Sequence, residues 1–236
     1  NYRYNGKARF GHTSPKCDKE DVFMEERVIN IPSSRDRNVV LRVIPGHFAT
    51  THSHINHFVD MTFLKARKRE AQGAARILAD TFKNNTYIDT IVCMEGCEII
   101  GAYMADELTK NGIMSLNAHQ TMYVVSPEEH TGGQLIFRDN MQSMIQNKHI
   151  LLVLASATTG ITVKRALECI NYYGGRIEAV AALFSAVDEI EGVPVHSLFK
   201  DEDIPEYRSY HFTECPMCQA KQKVDAIVNS YGYSTI

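Results

Sequence analysis

Residues Ile150–Gly175 read ILLVLASATTGITVKRALECINYYGG and hold a strand, a turn and a helix in direct succession. The opening run is apolar and carries no charge, which predicts a strand over His149–Ala155 buried on both faces. The turn Thr158-Thr159-Gly160 is small and rich in hydroxyls. The helix after it is predicted over Thr162–Tyr173, with Gly174-Gly175 as its stop. A helix beginning near Ile161 leaves its first N–H groups unpaired, and its dipole makes that end electropositive. Thr158, Thr159 and Thr162 add hydroxyl donors, while Gly160 lets the backbone approach an anion closely. Ser156, Ala157, Thr158, Thr159, Gly160, Ile161 and Thr162 are therefore the candidate phosphate-binding residues. Taken alone, the same short motif also reads as a tight strand-to-helix turn capped by threonine, a common device.

Strands and helices alternate on either side of this stretch. Apolar residues at helical spacing predict a helix over Phe63–Phe82. A strand Tyr87–Cys93, a turn at Met94-Glu95-Gly96, a helix Glu98–Lys110 and a strand near Gln120–Val125 follow, then the polar loop SPEEHTGGQ. Downstream lie strands at Ile177–Phe184 and Val193–Leu198. Buried strands alternating with helices predict an α/β fold, a parallel sheet flanked by helices. Ligands of such sheets sit beyond the carboxyl ends of the strands, which places Cys93–Cys97, Ser126–Gln134 and Ala155–Thr162 on one rim. Residues 1–60 are assigned to an N-terminal segment and small hood, with short strands in VFMEERVINI and NVVLRVI. Residues 61–200 form the α/β core and 201–236 a C-terminal tail.

The composition fits one folded unit of this kind. Hydrophobic residues make up 44% of the 236-residue chain and charged ones 22%, enough to bury a core. A net charge of −3 without a long basic block points to no nucleic-acid partner. No apolar run reaches the roughly 18–20 residues of a membrane span, and NYRYNGKARFGH is unlike a secretory signal, so a cytoplasmic protein is expected. The six cysteines, at 17, 93, 97, 169, 215 and 218, are then expected as reduced thiols or a metal clip.

The run LLVLASATTGITVKRALECINYYGGRIEAVAAL resembles the phosphoribosyl-pyrophosphate loop of the type I phosphoribosyltransferases. That loop has four apolar residues, two acids, two spacers, Thr-Thr-Gly and then small or hydroxyl residues. GHFATTHSHINHFVDM (46–61), VVSPEEHTGG (124–133) and CPMC (215–218) are similar in order and shape to segments of the orotate phosphoribosyltransferases: the opening segment, the mobile catalytic loop and a Cys-Pro-x-Cys tail. The resemblance spans roughly residues 46–220. It implies a hooded parallel-sheet fold and a place in nucleotide metabolism, specifically pyrimidine biosynthesis. It further implies displacement of pyrophosphate by a nucleobase with Mg²⁺ as cofactor, a phosphorylated ribose or nucleotide as ligand, and a homodimer.

The chain departs from that pattern where the chemistry lies. Leu154 and Ala155 stand where the family has two acids, and Ser126-Pro127-Glu128-Glu129 stands where its loop offers Arg and Lys. A family lysine near Met61 is missing, although Lys65, Arg67 and Lys68 lie close in sequence. Losing one charge-stabilising contact commonly costs about 3–4 kcal/mol of barrier, and carboxylates in the loop should repel pyrophosphate. Slow or absent orotate transfer is therefore expected. His130 and Glu95 are the candidate catalytic residues, with Asp60 as a further proton-transfer group or ligand. Cys215 and Cys218 have the spacing of a Zn²⁺ clip, with Cys93 and Cys97 as the second pair; free thiols in a tight turn are the competing reading. HSHINH (52–57) also looks metal-like but reads as a structural part of the hood. Two functions stay open: a transferase of the orotate type, and a binding module that senses a nucleotide or phosphoribosyl pyrophosphate without turnover.

Overall fold

A computed structural model of the protein describes residues 24–110, 116–118 and 121–236. Residues 1–23 of the N-terminal segment, with Cys17, and Gln120 of the expected strand lie outside the described residues. The chain opens with three antiparallel strands, β1 (Ile29–Pro32), β2 (Val40–Ala49) and β3 (His54–Asp60). Helices α1 (Thr62–Ala66) and α2 (Lys68–Phe82) lead into β4 (Thr90–Cys93), α3 (Glu98–Thr109) and β5 (Tyr123–Val125). A small hairpin, β6 (Glu128–Glu129) with β7 (Leu135–Ile136), precedes β8 (His149–Ala157) and α4 (Ile161–Tyr172). The core closes with β9 (Arg176–Ser185), β10 (Glu189–Ile190) and β11 (Val193–Lys200). Finally β12 (Ser209–Tyr210), α5 (Pro216–Gln219), β13 (Ala226–Asn229) and β14 (Gly232–Thr235) return to the hood.

The core sheet has the order β10-β11-β9-β8-β4-β5, parallel except for the β10–β11 edge pair. Its central strand sorts its side chains with the two-residue period of extended chain. Leu151, Val153 and Ala155 pack with Ala71, Ala75, Ile100 and Met104 of α2 and α3. Ile150, Leu152 and Leu154 pack with Val163, Ala166, Leu167 and Ile170 of α4 on the opposite face. This is the expected α/β fold, a parallel sheet between helical layers.

Three differences from the expected elements have identifiable causes. The helix over Phe63–Phe82 is two helices, because Arg67 is extended (φ −90°, ψ 124°). Strand β8 runs two residues past Ala155, since Ser156 and Ala157 keep pairing with Phe184 and Ser185 of β9. The tail forms strands: β12 pairs with β3, and β13 lies parallel to the end of β2, so the hood joins strands from residues 29–60 to strands from residues 209–235. Within β13, Ala226 and Val228 face inward and Ile227 and Asn229 outward, an alternation too short to predict from four residues.

Candidate functional site

The carboxyl ends of β4, β5 and β8 open into a cleft of ≈ 510 Å³. The turn Thr50–Ser53 and the β13–β14 turn, with Asn229, Ser230 and Tyr231, cover it from the hood side. All three segments expected on one rim contribute: Cys93, Met94 and Glu95; Ser126, Pro127 and Glu129; Ser156, Thr158, Thr159, Ile161 and Thr162.

In the phosphate-loop candidate, Gly160 caps α4 from the left-handed region (φ 75°), and no side chain caps this helix. The threonine-capped turn is thus not what forms. Among the described residues, the amides of Thr158, Thr159 and Gly160 have no acceptor, and the hydroxyls of Thr158, Thr159 and Thr162 make no hydrogen bond within the chain. The first bond of the helix runs from the Lys164 amide to the Gly160 carbonyl at 2.8 Å, so the amides of Ile161–Val163 also point outward unpaired. A dense set of unused donors at a helix mouth, bordering a cleft, is what an oxyanion needs.

Leu154 and Ala155 are fully buried on opposite faces of the sheet, so neither side chain reaches the cleft. The carboxylate at this strand end comes instead from Glu95, in the loop after β4. Glu95 sits at φ 58°, and its Oε2 accepts hydrogen bonds from the amides of Ala155 (3.2 Å) and Ser156 (3.1 Å). Burial pushes its carboxyl above the ordinary value of 4.5, opposed by the Ser156 amide and the Lys65 ammonium. Lys65, buried on α1, donates to the backbone carbonyls of Glu95 (2.9 Å) and Ser230, tying the β4 loop to the C-terminal hairpin.

The acids of the 126–134 loop are ion-paired. Arg138 donates to Glu128 at 2.7 and 2.8 Å, His130 lies 3.1 Å from Glu128, and Arg165 of α4 meets Glu129 at 3.2 Å. Arg138 and Arg165 went unmarked in the sequence because each stands outside the loop that resembles the family's. Exposed pairs of this kind contribute only up to about 1 kcal/mol each. The cleft itself still presents Glu95, Glu98 and Glu129 against Arg165. His130 stands on the exposed turn of the β6–β7 hairpin, outside the cleft lining. Asp60 pairs with Arg42 (3.2 Å) and accepts the Thr62 amide (3.0 Å), a structural commitment.

The four-cysteine set does not form. Cys93 and Cys97 are buried in the core under α3, where burial, with Glu98 nearby, pushes the Cys93 thiol up to about 12. Cys215 and Cys218 instead face His47 and His54, and the four candidate ligand atoms lie within 4.8 Å of one another. His47 was hidden in the sequence by a six-residue gap to His54 that includes the β2–β3 turn; of the metal-like HSHINH run, His54 joins the cluster and His52 stands exposed in that turn.

No protein-family model matches the chain. The transcriptional regulator GfcR of Methanococcus vannielii is 25% identical over 144 residues, 61% of this chain and 67% of the regulator. A phosphoribosyltransferase from Corynebacterium diphtheriae superposes with a TM-score of 0.50 at 15% identity, over 78% of this chain and 95% of that one. The UMP synthase of Leishmania donovani gives 0.51 at 14% identity, over 68% of this chain and 34% of the synthase. The fold is that of the type I phosphoribosyltransferases.

That phosphoribosyltransferase fold implies Mg²⁺, and the residues present fit it poorly. The strand end offers buried apolar side chains, and the nearby Glu95 Oε2 is engaged by two amides. Among the described residues, the one close group of three or more His, Cys, Asp or Glu ligands is the histidine–cysteine cluster. No helix among them is long and apolar enough to cross a membrane.

Proposed function

We propose that the protein is a binding module of nucleotide metabolism that holds the 5′-phosphate of a ribose, as a nucleoside monophosphate or phosphoribosyl pyrophosphate, without efficient turnover. The reading rests on the unengaged amides and hydroxyls over Thr158–Val163, which border the cleft. Backbone donors and three hydroxyls left without partners beside the cleft favour a dianion there. The acidic remainder of the cleft disfavours a further pyrophosphate, because like charges cost several kcal/mol when brought together. Similarity to a transcriptional regulator fits ligand sensing.

One observation favours the second reading, a transferase of the orotate type. Glu95 delivers a carboxylate with a raised pKa to the strand end, where it is placed to accept a ribose hydroxyl or move a proton. His130 serves such a reaction only if its hairpin swings over the cleft. A homodimer, which the resemblance implies, is checked by light scattering.

Calorimetry with ribose 5-phosphate, uridine monophosphate, orotidine monophosphate and phosphoribosyl pyrophosphate tests the reading, with uridine as the control. Binding is expected for the phosphorylated compounds and none for uridine. Gly160→Ala, which forces an alanine into the left-handed region at about 1–2 kcal/mol, should weaken binding about tenfold. Failure of every phosphorylated ribose to bind sinks both readings, and rapid pyrophosphate release over a panel of bases selects the second.

A further inference from the structure

His47 lies near the end of β2, His54 at the start of β3, and Cys215 and Cys218 bracket the first turn of α5. His47 Nε2 stands 3.0 Å from His54 Nδ1, 3.6 Å from Cys215 Sγ and 3.5 Å from Cys218 Sγ, and Cys218 Sγ is 3.2 Å from His54 Nδ1. A tetrahedral Zn²⁺ with bonds of about 2.3 Å to sulfur and about 2.0–2.1 Å to nitrogen has ligand–ligand edges of about 3.3–3.8 Å. The observed separations lie close to those edges. His47 Nδ1 is 3.0 Å from the Gln222 carbonyl, a contact that places the proton on Nδ1 and turns the Nε2 lone pair toward the cluster. His47 and Cys215 are fully buried, so without a cation two imidazole nitrogens and two sulfurs would face each other with few donors to share.

We propose that His47, His54, Cys215 and Cys218 bind one Zn²⁺ in a closed Cys₂His₂ site, and that the ion fastens the C-terminal segment to the hood. Two thiolates and two imidazoles in a tetrahedral arrangement suit zinc better than the oxygen-seeking Mg²⁺ or Ca²⁺. The set is complete in four protein ligands, the mark of a structural ion rather than a catalytic one. Two ligands come from the β2–β3 hairpin and two from the tail. Seven residues beyond Cys218, Asp225 accepts the His47 amide at 2.8 Å, and β13 then pairs with the end of β2. The clip therefore holds in register the hairpin that supplies Val228, Asn229, Ser230 and Tyr231 to the cleft.

The test uses the full chain, purified without a histidine tag. Elemental analysis is expected to give one zinc per chain. Exchange into Co²⁺ should give the intense visible bands of a tetrahedral ion together with thiolate-to-cobalt charge transfer. Cys218→Ala and His54→Ala should each lower zinc affinity at least about tenfold in chelator competition. Cys93→Ala and Cys97→Ala should keep one zinc. Removing the ion should raise amide exchange in residues 226–235 before it does so in β8. Zinc far below stoichiometry, a Cys215–Cys218 disulfide in freshly reduced protein, or equal loss of metal in the Cys93→Ala variant would overturn the proposal. The cobalt spectrum of the unaltered chain decides even if a variant fails to fold.

Discussion

At the scale of single residues, Glu95 joins backbone strain to electrostatics. A non-glycine residue at φ 58° sits in a sparsely populated region. Here that conformation aims the carboxylate at the amides of Ala155 and Ser156 and the backbone carbonyl at Lys65. Burial raises its pKa in the fold above the unfolded value, so the folded state holds the proton more tightly. Its contribution to stability is fully present below about pH 4.5 and is lost as pH rises through the folded pKa. Glu95→Gln keeps an acceptor for both amides and has no proton to lose. Urea titrations from pH 4 to 8 should therefore show this loss with rising pH in the unaltered protein and a smaller loss in the variant. Identical pH slopes would mean that the carboxylate ionises as freely in the fold as outside it.

At the scale of elements, the contact between α3 and β4 depends on the absence of a side chain. A β-carbon on Gly101 would overlap the Cys93 sulfur and meet Val124 at 3.2 Å. Gly101→Ala should destabilise by about 1–3 kcal/mol through overpacking, lowering Tm by roughly 2–4 °C per kcal/mol. Calorimetry checks this, and an unchanged Tm would show that α3 can slide. The elements themselves were largely legible. The charge-free run before Thr158 gave β8, and the spacing of Ala71, Ala74, Ala75, Leu78 and Phe82 gave α2. The β8 boundary at Ala157 was set by pairing with Ser185 of β9, which local pattern does not encode, and the helix break at Arg67 by one extended residue within an otherwise helical period.

At the scale of the whole molecule, the β2–β3 turn and the C-terminal hairpin meet over the cleft. Ending the chain at Asp225 removes β13 and β14, the buried Val228, the Lys65–Ser230 link and the turn that covers the cleft, while all four candidate zinc ligands remain. The truncated protein should keep its metal, melt several degrees lower and bind phosphorylated ribose about tenfold more weakly, by the loss of about 1.4 kcal/mol. Elemental analysis, calorimetry and titration check the three parts. Unaltered ligand affinity would show that the hairpin merely overlies the site.

By itself the sequence determined the alternation of strand and helix, the Thr-Thr-Gly turn proposed to hold phosphate and the rim on which it lies. Those depend on periodicity and on residue types adjacent along the chain. Tertiary structure alone decided which carboxylate reaches the strand end, which arginines neutralise the loop acids, and that His47 and His54 face Cys215 and Cys218. Each of these joins residues from separate strands or loops, up to 171 positions apart. Such meetings are set by sheet order and chain return, for which local sequence carries no signal.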